Sequence, residues 1–130
     1  MFVHSTGSVG SIIANVAVTL RADIMNKNQD SSQSARVLIF DTTTISKTQL
    51  YNSGIITIPA ASSDFRPVNS LIDLEPPLSA FPSRYEVVVR TTDINMVIYI
   101  TGITAAGTSD PAKVFKHGDL YMEEVLGQSI

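Results

Sequence analysis

The chain has 130 residues, the size of one domain, of which 44% are hydrophobic and only 16% charged, against roughly 25% charged in ordinary soluble domains. That composition excludes a disordered chain, which needs low hydrophobicity and high net charge. Nine Lys and Arg against twelve Asp and Glu give a net charge of −3 without the clustered basic face of a nucleic-acid binder, and the lack of Cys removes disulfides, thiol catalysis and thiolate metal sites.

Residues 1–14 read as an extended N-terminal arm and residues 15–130 as the folded domain. The first ten residues lack the positive start and the apolar run of a secretory signal, so delivery without a standard signal is expected. Within the arm, Phe2, Val3, Val9, Ile12 and Ile13 are spaced by Ser, Thr and Gly. Small residues permit close backbone approach and spaced apolar ones fill pockets, as a strand added to a neighbour's sheet edge requires. The alternative is that Val9–Asn15 begins the domain's own edge strand.

Ile, Val and Thr together supply 38 residues, an enrichment that suits pleated, half-buried surfaces. Val16–Ile24 alternates cleanly, with Val16, Val18, Leu20, Ala22 and Ile24 on one face and Ala17, Thr19, Arg21 and Asp23 on the other. A polar loop over Asn26–Ser34 leads to a second strand at Ala35–Asp41. Thr44–Tyr51 alternates more weakly, Asn52-Ser53-Gly54 forms a turn, and Ile55–Ile58 is a short strand stopped by Pro59. Phe65–Leu74 alternates partly, with Phe65, Leu71 and Val68 directed inward in different registers, which predicts an edge strand or a bulge.

Pro76-Pro77 and Phe81-Pro82 bracket an extended connection. Arg84–Thr91, the turn Thr92-Asp93-Ile94-Asn95 and Met96–Ile103 then predict a β-hairpin. Lys113–Phe115 reads as a short strand, His117-Gly118-Asp119 as a turn, and Leu120–Leu126 as a strand or one or two helical turns. Strands recurring in this way predict a single antiparallel β-sandwich of about seven or eight strands, with jelly-roll and immunoglobulin-like topologies both open.

Candidate chemistry is sparse. His117, Asp119 and Glu123 could hold a divalent cation, but their spacing matches no strong metal motif. No G-x-S-x-G elbow or phosphate-binding loop is present, and Trp is absent from any sugar site that paired carboxylates might serve. Tyr51, Tyr85, Tyr99 and Tyr121 could make a sugar-stacking face. No catalytic, cofactor or metal site is assigned, and the expectation is that the chain is not an enzyme. No stretch approaches the ~20 apolar residues of a membrane helix. A surface with so few charges predicts partners that are other copies of the chain, with further surface proteins open as partners.

Beyond composition, several segments carry a resemblance. They are Ala35-Arg36-Val37-Leu38-Ile39-Phe40-Asp41, Arg84-Tyr85-Glu86-Val87-Val88-Val89-Arg90, Gly102-Ile103-Thr104-Ala105-Ala106-Gly107, and Pro111-Ala112-Lys113-Val114 with Leu120. In this order, behind the alternating front strand, they resemble small Cys-free all-β proteins of spore-forming Gram-positive bacteria. In that group a Tyr-Glu-Val-Val-Val-Arg-like strand precedes a Gly-x-Asp-Ala-x-Gly-like turn, where this chain has Thr104 at the acidic position. The resemblance implies a role at the cell or spore surface and supplies no catalytic residues. The leading expectation is a self-assembling structural subunit of an extracellular or spore-surface fibre or layer. A small carbohydrate- or peptide-binding module and a viral or phage structural protein are the alternatives.

Overall fold

The computed structural model describes residues 1–10 and 17–130, with the backbone alone at residues 110–112. It is an all-β structure of two antiparallel sheets. The strands are β1 (Phe2–Ser5), β2 (Val9–Gly10), β3 (Ala17–Asn26), β4 (Gln33–Asp41), β5 (Thr48–Asn52) and β6 (Ile56–Ile58). They continue with β7 (Ser63–Asn69), β8 (Arg84–Thr91), β9 (Met96–Thr104), β10 (Ser109–Phe115) and β11 (Tyr121–Glu124), and a 3-10 turn at His117–Asp119 precedes β11. The larger sheet runs β11-β1-β8-β4-β5, with β2 also on β8 and β6 also on β4; the smaller runs β10-β9-β3-β7.

The core forms between the sheets from alternate positions, as period-2 side-chain placement requires. Val37, Ile39, Tyr85, Val87 and Val89 come from the larger sheet, and Leu20, Ala22, Ile24, Met96, Ile98 and Ile100 from the smaller. At the front of β3 the expected phase slips. Thr19 pairs with Ile103 but Ala17 with Thr104, so a bulge inserts one residue. Ala17 is therefore buried while Val18 is half-buried, and the expected faces hold only from Leu20 onward. Val16 lies outside the described residues.

The expected hairpin over Arg84–Ile103 is replaced by a crossing between sheets. Both strands form with nearly the expected bounds, but β8 pairs with β1 and β4, and β9 pairs with β3 and β10. With both hydrogen-bonding edges of each strand occupied, the turn between them passes from one sheet to the other. The partial alternation after Phe65 also resolves differently. β7 is an edge strand with Val68 buried, whereas Phe65 and Leu71 face outward and are exposed.

Candidate self-association site

The arm expected over residues 1–14 is, over residues 2–10, part of the domain's own sheet. β1 lies between β8 and β11, with Phe2↔Thr91, Val3↔Arg90, His4↔Val89 and Ser5↔Val88 on one side. On the other side the register is Phe2↔Glu124 to Ser5↔Tyr121. The physical reason is that the chain itself supplies the groove the spaced apolar residues fit. Val9, 8% exposed, opposes Tyr85 in β2, while Phe2 and Val3 are half-buried within β1. Ile12 and Ile13 lie outside the described residues.

From Ser5↔Val88 to Val9↔Tyr85 the N-terminal segment spends one residue more than β8. Gly7, at φ +64°, accommodates the resulting bulge. Thr6 maintains the pairing there: its N–H donates to Val87 O at 3.1 Å and its hydroxyl accepts from Val87 N–H at 3.0 Å. Ser5 Oγ donates to Glu86 Oε2 at 2.6 Å, and Glu86 also meets Lys47 Nζ at 2.9 Å. At the other end Met1 and Val125 exchange hydrogen bonds, Val125 N–H to Met1 O at 2.8 Å and the terminal ammonium to Val125 O at 3.2 Å.

The outer face of this seat is also covered. Leu38 and Val88, a cross-strand pair, are buried yet stand apart from the core between the sheets. Arg36 Nε donates to Ile130 O at 2.8 Å. Gln128 and Val125 line, with Val3 and Val88, a cavity of about 360 Å³ on that face. The C-terminal residues thus lie across the sheet that holds β1.

Toward the core, β1 presents His4, 1% exposed. Its ring centroid is 5.3 Å from that of His117, with planes tilted by 47°. Thr91 Oγ1 lies 3.4 Å from His4 Nε2 and donates its proton to Asp93 O at 3.1 Å. With that hydroxyl proton committed, His4 Nε2–H is the donor to Thr91, and Nδ1 is left as a bare acceptor. His4 Nδ1 has no hydrogen-bond partner among the described residues. Burial, with a smaller contribution from His117, holds His4 down from 6.5 to a pKa of about 4. His117 is fixed by its own Nδ1, which accepts from Ile98 N–H at 3.2 Å. That bond continues the edge of β9 beyond its last pairing with β10, Ile100↔Phe115.

The remaining candidates do not assemble. Asp119 Oδ2 accepts from Lys116 N–H at 3.0 Å, Glu123 pairs with Val3 in the sheet, and among the described residues no three His, Asp or Glu groups come together as a metal would need. Tyr85 is buried against Phe81 at 5.8 Å, Tyr99 lies on β9, Tyr121 on the edge strand β11 and Tyr51 on β5, so the four tyrosines form no common face. Tyr51 borders a cleft of about 510 Å³ with Gln49, Asn52, Asp73 and Glu75. Burial raises its hydroxyl pKa, opposed by Arg66 and assisted by Asp73. The histidine pair escaped the sequence reading because His4 and His117 are remote in sequence; alternation alone places His4 on the core side of β1. No helix among the described residues is long and apolar enough to cross a membrane.

No protein-family model matches the chain, and no curated protein matches it. Among solved structures, the chain is similar to the Anabaena sensory rhodopsin transducer, at 13% identity over 74% of this chain and 89% of that one, with a TM-score of 0.43.

Proposed function

We propose that this protein is a structural, self-assembling subunit of a cell- or spore-surface fibre or layer, in which the N-terminal segment of one copy takes the β1–β2 place in the next. The observation that carries the reading is the connectivity of β1. Its neighbours β8 and β11 lie more than 80 residues away in sequence, with Ser5 pairing Val88 and Tyr121. The strand that follows the β1–β2 segment, β3, belongs to the opposite sheet. No tight turn ties β1 to either neighbour, so the same strand from another copy would make the same hydrogen bonds and contacts.

Exchange of identical elements costs little because only the connection differs between the two states. Carried head to tail without closing into a ring, it gives an open polymer. The low charge and the resemblance to spore-former surface proteins support placing that polymer at a surface.

The absence of Cys makes a direct test possible. Val3 and Arg90 are cross-strand partners, within the reach a disulfide demands. Val3→Cys and Arg90→Cys are made in separate chains, mixed, incubated at high concentration and oxidised. A Val3–Arg90 heterodisulfide on non-reducing gels is expected, together with higher-order species by light scattering. Absence of the heterodisulfide, with the doubly substituted chain closing its bond only within monomers, would overturn the reading.

A further inference from the structure

We infer that the His4–His117 pair is an acid-opened latch on β1, so that mild acid frees the N-terminal strand for exchange between copies; this rests on the assembly reading above. The geometry places the latch at the seam that must open. His4 sits on β1 between β8 and β11, and His117 sits in the turn that carries the chain from the smaller sheet to β11. Releasing β1 takes His4 from full burial to water, so any proton that the seat refuses becomes available to the freed strand.

Among the described residues no group accepts a hydrogen bond from a proton on His4 Nδ1. From β8 the inward positions are Tyr85, Val87, Val89 and Thr91, and from β9 they are Met96, Ile98 and Ile100. β11 places Met122 opposite His4, with Glu124 two pairs further along opposite Phe2, and Glu123 between them, opposite Val3 and turned to the other side. Asp119 in the turn is engaged by the Lys116 backbone, and Lys113 on β10 lies against Gly102. The titratable group in ring contact is His117, another base, which opposes a charge on His4.

The sign follows from the lowered His4 value. Above pH 6.5 the ring is neutral whether β1 is seated or free, and the seat is at full strength. As pH falls from 6.5 toward about 4, the free strand binds a proton that the seated strand does not, and release gains ground. Between pH 7.5 and pH 5 the released population should rise about 30-fold through His4.

The Val3→Cys and Arg90→Cys chains are mixed at each pH, then shifted to pH 8 with oxidant to trap whatever has exchanged. In parallel, amide hydrogen exchange of residues 2–5 reports opening without any need for assembly. Faster trapping and weaker β1 protection at pH 5, both flattened by His4→Leu and by His4→Gln as a second neutral variant, would support the latch. Trapping that is equal at both pH values leaves strand exchange standing and overturns the latch. No trapping at either pH, with β1 protection still falling at pH 5 in a His4-dependent way, supports the latch and overturns the assembly reading. Protection independent of pH and of His4 overturns the latch by itself.

Discussion

Asn26 and His4 are both polar and both essentially removed from water, at 0% and 1% exposure, yet they are held in opposite ways. The Asn26 amide donates to Ser31 O at 2.9 Å, Ile58 O at 3.1 Å and Pro59 O at 3.2 Å. Its carbonyl oxygen accepts from the Asn28 backbone and side chain, each at 3.0 Å. One side chain at the end of β3 thereby gathers the 27–32 loop and the exit of β6. Among the described residues His4 makes one hydrogen bond, a long one with Thr91, and its other ring nitrogen has no hydrogen-bond partner. Burial strengthens a polar group whose partners are complete and penalises one whose partners are missing. The first arrangement suits a permanent junction, the second a strand that is held conditionally.

The largest expected effect comes from breaking the complete member of the pair. Asn26→Ala removes every bond just described and leaves the carbonyls of Ile58 and Pro59 without their amide donor. The loss should be about 2–4 kcal/mol, from unmade hydrogen bonds, stranded acceptors and the cavity. A lowered urea midpoint with an unchanged m-value would show it. A shift below about 1 kcal/mol would mean that the loop reorganises and that the junction is not held by Asn26.

His4→Leu at pH 7.5 should do far less. It trades one long hydrogen bond and one unmet acceptor for apolar contact with Val89 and Met122 across the pairs His4 now makes. Replacing a poorly satisfied polar group by an apolar one of similar size is close to neutral, within about 1 kcal/mol either way. At pH 5 the variant should exceed the wild type, which by then has lost about 2 kcal/mol through His4, given a folded value near 4 against 6.5. Urea titrations at the two pH values check both halves. Equal pH dependence in the two proteins would assign the acid sensitivity to other groups.

Strands were legible wherever period-2 alternation ran long. Arg84–Thr91 forms with the expected bounds, and Met96–Ile103 and Ala35–Asp41 form within two residues of theirs. What alternation does not encode is which sheet receives a strand. The same pattern that makes β8 and β9 strands is satisfied by hydrogen bonding to each other or by facing each other across the core, and β1 and β4 decided the matter by occupying β8. The spaced apolar residues of the first ten positions were likewise recognisable as a strand seeking a groove, but the groove was built from residues 84–91 and 121–124. In sequence Asn26 opens a polar loop, because its partners at Ile58 and Pro59 converge on it only in the folded chain.

The smallest effect is expected at a third buried polar group, and it separates burial from bonding. Ser70, 1% exposed, has its backbone N–H on Val18 O at 2.9 Å, while its hydroxyl meets no hydrogen-bond partner among the described residues. The backbone bond survives substitution, so Ser70→Ala deletes only an oxygen that was desolvated without return. The change should be neutral or stabilising, within about 0.5 kcal/mol of the wild type, because removing an unsatisfied polar atom offsets the small volume lost. A Tm within about 2 °C of the wild type, or above it, is the expected reading. If Ser70→Ala instead cost as much as Asn26→Ala, burial alone would set the penalty for losing a polar group, and the contrast between Asn26 and His4 would lose its basis in hydrogen bonding.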